Sequence, residues 1–354
     1  MFCILVDPPG RPPSRHLLKA LDAEYRPVRL RNAMKMKVFF HDNCFDGLAS
    51  AAVFSNFCRS AIDPKVEFFY EGLAHRAGQL FLDVRFDGDQ NAIVDFKYSS
   101  DPGLTWWFDH HQSAFLSSED EAHFRADRSG RKFHDASYRS CTKFIAEKVR
   151  ECFGFDSSRL AELIRWADLI DGAQFADAQA AVELREPAMK LMMVIEGVRA
   201  STHLHALVTE FQQKSLAEIM ELDWVQAAFR PLYQRHLESI EIIRGKADCS
   251  DGTVYFDVSG NDLEGYNKFI PYYLYPQATY CVGVSLSSFR AKISVGSNPW
   301  SPRPRTQNLA ALCERYGGGG HPVVGAISFM PEDLPKARSI AQEITRELRS
   351  ACSQ

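Results

Sequence analysis

No apolar run in this chain is long enough to cross a bilayer, and its opening residues, MFCILVDPPGRPP, carry neither a basic leader nor a small-residue cleavage site. A membrane partner and export are therefore not expected, and a cytoplasmic protein is. The nine cysteines form no CxxC pair and no regular framework. That argues against a disulfide scaffold or a zinc knuckle and for reduced, mostly buried thiols. Positive charge is not in excess either, the formal net charge being −4. Proteins that grip long nucleic acids carry basic surfaces, so no long duplex is expected as a partner and a short oligonucleotide or small phosphorylated substrate fits better.

What is present is an ordinary globular composition, 45% hydrophobic and 24% charged over 354 residues, which is long enough for two domains. Residues 1–35 are rich in Arg and Pro, show no sustained period, and read as a flexible extension. Over 36–185, short apolar runs at 38–40, 66–70, 92–94 and 104–108 alternate with helical stretches that include 48–58 and 138–153. Continuous apolar runs between helices predict a parallel sheet covered on both faces. Residues 186–248 are helical in character and have no Gly/Ser-rich linker, so they read as a helical connector. Over 249–354 strand patterns return at 254–258, 280–286 and 291–295, the last two as a hairpin. A helix at 307–316, a glycine run, a strand at 323–329 and a terminal helix from 331 complete a smaller α/β domain.

Three of the predicted N-terminal strands run into groups that hold cations. Phe40 is followed by His41, with Asp46 just beyond; Val94 is followed by Asp95; Phe108 is followed by Asp109, His110 and His111. In a parallel sheet the carboxyl ends of the strands share one edge, where such folds place their ligands, so these groups should converge. Several carboxylates in one cleft repel one another unless a cation neutralises them. Mixed carboxylate and imidazole donors suit Mn²⁺, with Mg²⁺ or Co²⁺ as alternatives, better than thiolate-seeking zinc. One or two such ions activate water and offset charge on a phosphorane-like transition state, which points to phosphate ester hydrolysis.

The series HDNCFDGLASAA at 41–52, IVDF at 93–96, WFDHH at 107–111 and WADLIDGAQF at 166–175 resembles the four successive motifs of the DHH phosphoesterases. YGGGGHPVVGAISF at 316–329 resembles the glycine-rich signature of the C-terminal domain that accompanies them. The resemblance implies that His41, Asp46, Asp95 and His110 ligate metal, that His111 faces the substrate phosphate, and that Asp109 supports the site. One further ligand is implied from Asp168 and Asp171, and the pair stays open. Many relatives have a second aspartate two residues before Asp46; Cys44 stands there, with Asp42 nearby as the alternative.

The glycine-rich segment implies a substrate grip by Gly318, Gly319, Gly320 and His321. Arg290, Lys292, Arg303 and Arg305 are expected as further phosphate contacts and Trp300 as a platform for a base. Trp106 and Trp107 read as core, and His75, His123, His134, His203, His205 and His236 are assigned nothing.

The expected activity is metal-dependent hydrolysis of short oligonucleotides or small phosphonucleotides. The rivals are a phosphatase of polyphosphate or pyrophosphate and a non-catalytic nucleotide sensor. A homodimer stays open.

Overall fold

The computed structural model describes residues 33–74, 80–198, 202–261, 263 and 265–353, so nearly all of the expected N-terminal extension lies outside the described residues. In chain order the elements are β1 Lys35–His41, α1 Phe45–Ala61, β2 Glu67–Leu73, β3 Gln90–Val94, β4 Trp106–Asp109, α2 Ser118–Ala126, β5 Lys132–His134, α3 Cys141–Phe153 and α4 Ala161–Asp171. A run of helices follows: α5 Ala178–Val182, α6 Pro187–Gly197, α7 Thr202–Gln213, α8 Leu216–Met220 and α9 Asp223–Lys246. The chain ends with β6 Asp248–Ser250, β7 Thr253–Asp257, α10 Ile270–Leu274, β8 Tyr280–Leu286, β9 Ala291–Ser297, α11 Leu309–Glu314, β10 Gly319–His321, β11 Val324–Phe329 and α12 Leu334–Cys352.

The first sheet has the order β2-β1-β3-β4-β5, with every pairing parallel. Alternate residues of its central strands enter different cores. Val38, Phe40, Ala92, Val94, Trp106 and Phe108 pack under α1 and α3, while Phe39, Ile93 and Trp107 pack on the opposite face with Phe96 and Tyr98. Burial on both faces is what the unbroken apolar runs required. Helix α1 is buried over most of its length because it lies inside this layer rather than on its surface. Gly47 sits so close to β1 that any Cβ there would collide with the His41 carbonyl.

The second sheet is mixed, in the order β10-β11-β9-β8-β7-β6, with β7 and β8 parallel and the other pairs antiparallel. Helix α12 lays Ala337, Ala341, Ile344 and Leu348 against it, an i, i+4, i+7, i+11 stripe of helical period.

The segment just after α4 joins the two halves. Ala181 and Val182 share one apolar cluster with Val254, Phe256 and Ile270. Trp300 Nε1 donates to the Phe175 carbonyl at 2.9 Å, and Asn267 Nδ2 donates to the Ala181 carbonyl at 2.8 Å. Among the described residues no helix is long and apolar enough to cross a membrane.

Candidate metal centre

His41, Asp95 and Asp109 to His111 sit at or just past the carboxyl ends of β1, β3 and β4, which are neighbours in the sheet, so the topology alone brings them to one rim. Asp95 is at the centre. One carboxylate oxygen lies 3.6 Å from His41 Nδ1, and the other lies 3.4 Å from His110 Nε2 and 3.9 Å from His111 Nδ1. His110 Nε2 also lies 3.5 Å from Asp171 Oδ2 and 3.8 Å from Asp46 Oδ2. Asp95 has a positive φ of 56°, a left-handed conformation that Asp adopts more readily than most residues and that clusters at functional sites.

Neighbouring groups orient the imidazoles. His110 Nδ1–H donates to the Tyr138 carbonyl at 3.1 Å, which leaves Nε2 as the nitrogen facing the carboxylates. His111 Nδ1–H donates to Asp109 Oδ1 at 2.7 Å, and the same oxygen accepts the backbone N–H of His110 at 2.9 Å. His134 Nε2–H holds the His111 carbonyl at 2.9 Å while its ring stacks on Trp107. His134 carries no motif, so its sequence offered no signal for this supporting role.

The structure separates the two aspartates left open in the fourth motif. Asp171 turns into the cluster, whereas Asp168 is held by Lys143 Nζ at 3.0 Å and Ser140 Oγ at 3.4 Å. In the first motif Cys44 approaches the cluster and Asp42 does not. Sγ of Cys44, a ring nitrogen of His41 and an Asp95 oxygen all lie within 4.8 Å of one another. Asp42 instead accepts the Asn43 N–H at 2.9 Å and packs so tightly on Gly72 that a Cβ there would meet its carboxyl. Asp46 also anchors a helix, because its oxygens accept the N–H groups of Cys141 at 2.7 Å and Thr142 at 3.1 Å, fastening the amino end of α3.

The electrostatics show a cluster short of positive charge. Asp95, Asp46 and His110 are 1%, 1% and 8% exposed. Both Asp95 oxygens and His110 Nε2 are buried with no hydrogen-bond partner among the described residues. Burial, with Asp95 and Asp171 nearby, pushes the Asp46 carboxyl well above its ordinary range. Burial and Asp95 push Asp171 to about 6. At Asp95 burial acts the same way, but His110 and His41 outweigh it and hold the carboxyl below its ordinary range. At His110 burial is outweighed by Asp95 and Asp46, which hold the imidazole at about 10. His111 is raised first by its hydrogen bond to Asp109, against burial. Orphaned carboxylate oxygens and an aimed imidazole nitrogen fit a divalent cation, by donor type and by the charge they leave uncompensated.

The second-domain candidates belong to the other sheet. Gly318, Gly319, Gly320 and His321 form or adjoin edge strand β10, with His321 exposed. A Cβ on Gly318 or Gly320 would collide with the carbonyls of Ala326 or Val324 in the paired strand, so those two glycines are required by close pairing; Gly319 faces open space. Arg290 closes the β8–β9 turn, its guanidinium 5.0 Å over the Phe289 ring. Arg305 donates to the carbonyls of Gln307 and Pro322, and Arg303 donates to that of Cys352. Trp300 is packed on Phe269 and bound to the Phe175 carbonyl, so its indole serves the junction between the halves rather than standing free as a platform.

One cation was not singled out from the sequence. Lys268 lies between two residues fastened to the first half, Asn267 to Ala181 and Phe269 against Phe175. Its charge acts on Glu196, opposing the upward push there from burial and Asp171, which sets Lys268, Glu196 and Asp171 in one electrostatic neighbourhood.

No protein-family model matches the chain, and no curated protein matches it in sequence. Among solved structures the chain is similar to a pGpG-specific phosphodiesterase, PggH of Vibrio cholerae, with a TM-score of 0.66 at 18% identity, over 90% of this chain and 99% of that one. It also resembles RecJ in complex with Mn²⁺ from Thermus thermophilus, with a TM-score of 0.48 at 13% identity, over 90% of this chain and 53% of that one. The fold is that of the DHH phosphoesterases, a parallel-sheet half followed by a mixed-sheet half with helices between, as the motif series implied.

Proposed function

We propose that this chain is a divalent-metal-dependent phosphodiesterase that hydrolyses short oligonucleotides, with linear dinucleotides as its best substrates. The observation that carries the reading is the buried Asp95 carboxylate, both oxygens without a hydrogen-bond partner among the described residues, ringed by His41, His110 and His111. His41, Asp46, Asp95, His110 and Asp171 are the residues that would hold the cation, and their oxygen and nitrogen donors suit Mn²⁺. When bound, such an ion lowers the pKa of water and offsets charge on the phosphoryl oxygens.

The remaining work falls to the chain's own residues. Asp109 fixes His111 through Nδ1, so Nε2 is the nitrogen available to the substrate. The raised pKa of His111 favours its protonated form, which suits it to bind a phosphate oxygen or to protonate the departing one. On this reading Gly319 and His321, with Arg290, meet the substrate beyond the scissile bond.

The full-length likeness to a pGpG-specific enzyme supports a dinucleotide over a polymer, and so does the acidic net charge. Incubating the purified protein and Mn²⁺ with a panel of 5′-phosphorylated dinucleotides, pGpG included, should release mononucleotides. Orthophosphate release from pyrophosphate or polyphosphate with intact dinucleotides would overturn the reading, as would tight nucleotide binding with no turnover under any divalent cation.

A further inference from the structure

The cluster has two unlike ends. Asp46, His110 and Asp171 bring oxygen and nitrogen donors together, whereas the other end brings the Cys44 sulfur together with His41 and Asp95. Cys44 precedes α1 in extended backbone, φ −125° and ψ 130°, at the turn that leads from β1 into the helix. Asp42, two residues before it, is committed to its neighbour's N–H and to Gly72. The cysteine does not stand alone, because the Asp95 carboxylate it approaches is 1% exposed and accepts no hydrogen bond among the described residues at either oxygen.

We propose that Cys44, with His41 and Asp95, forms a sulfur-containing cation position that prefers a thiophilic divalent ion such as Co²⁺, Fe²⁺ or Zn²⁺, beside an oxygen- and nitrogen-lined position at Asp46, His110 and Asp171. This rests on the metal-dependent reading above and adds a selectivity to it. Hard cations such as Mg²⁺ and Mn²⁺ favour oxygen donors, while thiolate selects softer ones, so replacing a carboxylate by a thiol at one of two adjacent positions makes their preferences diverge. Cation binding exchanges the thiol proton for the ion and releases that proton to solvent.

The test is a Co²⁺ titration of the metal-free protein followed by absorption spectroscopy, which reads ligation without relying on catalysis. The wild-type protein should show a near-ultraviolet sulfur-to-cobalt charge-transfer band together with visible d–d bands. Cys44→Ser and Cys44→Asp should lose the charge-transfer band and keep d–d absorption from the oxygen- and nitrogen-lined position. Cys152→Ser, at an exposed thiol, should keep both. Zn²⁺ or Cd²⁺ should bleach the band, and Mg²⁺ in large excess should not. Circular dichroism checks the fold, and the aspartate variant stands in if the serine variant does not fold. Visible bands with no charge-transfer band in the wild type, or a band that survives in both Cys44 variants, would overturn the thiolate position and leave the phosphodiesterase reading intact. Absence of any Co²⁺ signal from the folded wild-type protein would overturn both.

Discussion

The rim of the first sheet and the edge hairpin of the second both drew attention as places where a phosphate could be handled, yet they are built in opposite ways. At the rim, polar atoms are buried, close together and short of hydrogen bonds: Asp95 Oδ1 and His110 Nε2 face one another across 3.4 Å, and neither atom has a hydrogen-bond partner among the described residues. At the hairpin the glycines serve strand pairing, Arg305 and Arg303 are spent on backbone carbonyls, and His321 stands in solvent. An unsatisfied buried charge is costly unless something binds it, whereas a solvated arginine or histidine costs nothing when idle. The rim therefore implies an occupant by its energetics, and the hairpin can only accept one.

This contrast can be broken by substitution. The largest effect is expected from Asp95→Asn, which keeps a side chain tolerated at φ 56° while removing the central charge. Hydrolysis should fall by about 10³-fold or more, the scale on which transition-state charge stabilisation is lost, with the melting temperature of the metal-free protein unchanged or raised. A lowered melting temperature would mean that Asp95 serves the fold rather than a cation.

Asp46→Ala should lose activity and stability together, because the N–H groups of Cys141 and Thr142 lose their acceptor. A cost of about 3 kcal/mol in denaturant unfolding is expected from two buried donors left unmade. An unfolding midpoint equal to that of the wild type would remove the anchoring role.

In the hairpin, Gly318→Ala should cost about 1–3 kcal/mol through collision with the Ala326 carbonyl. Gly319→Ala should leave stability unchanged and raise KM if substrate approaches that backbone. Equal stability of the two variants would sink the structural account of the glycines.

The smallest effect concerns the Asp257–Arg338 pair at 2.7 Å, which ties β7 to α12. Burial at Asp257 is outweighed by hydrogen bonds from Ser259 and by Arg338, and its pKa is lowered. A lowered carboxyl stabilises the fold fully above its unfolded pKa and loses that contribution as pH falls through the folded value. Asp257→Asn should therefore cost about 1 kcal/mol or less near neutrality, and the difference should vanish in acid below the folded pKa. A difference that persisted there would assign the effect to packing.

Much of the first half could be read from the chain because its signals are local. Val94 next to Asp95 and Phe108 next to Asp109 mark strand ends, and parallel topology does the rest. The choice between Asp168 and Asp171 could not be read, because it turns on Lys143, a residue of another helix that claims Asp168. The anchoring of α3 by Asp46 is equally non-local, spanning 95 residues. Strand β5 went unnoticed because three residues, Lys132 to His134, carry too little pattern. In the glycine run, freedom of the backbone suggested an open anion cradle, but close strand pairing imposes the same composition.

The stretch from Asp171 to Ala181 begins in the cluster and ends gripped by the other half, through Trp300 at Phe175 and Asn267 at Ala181. Any swing of the C-terminal half would pull on a tether whose far end is a carboxylate facing His110. A displacement of Trp300 would reach that carboxylate through Gly172 to Gln174 alone, with Phe175 as the point of attachment.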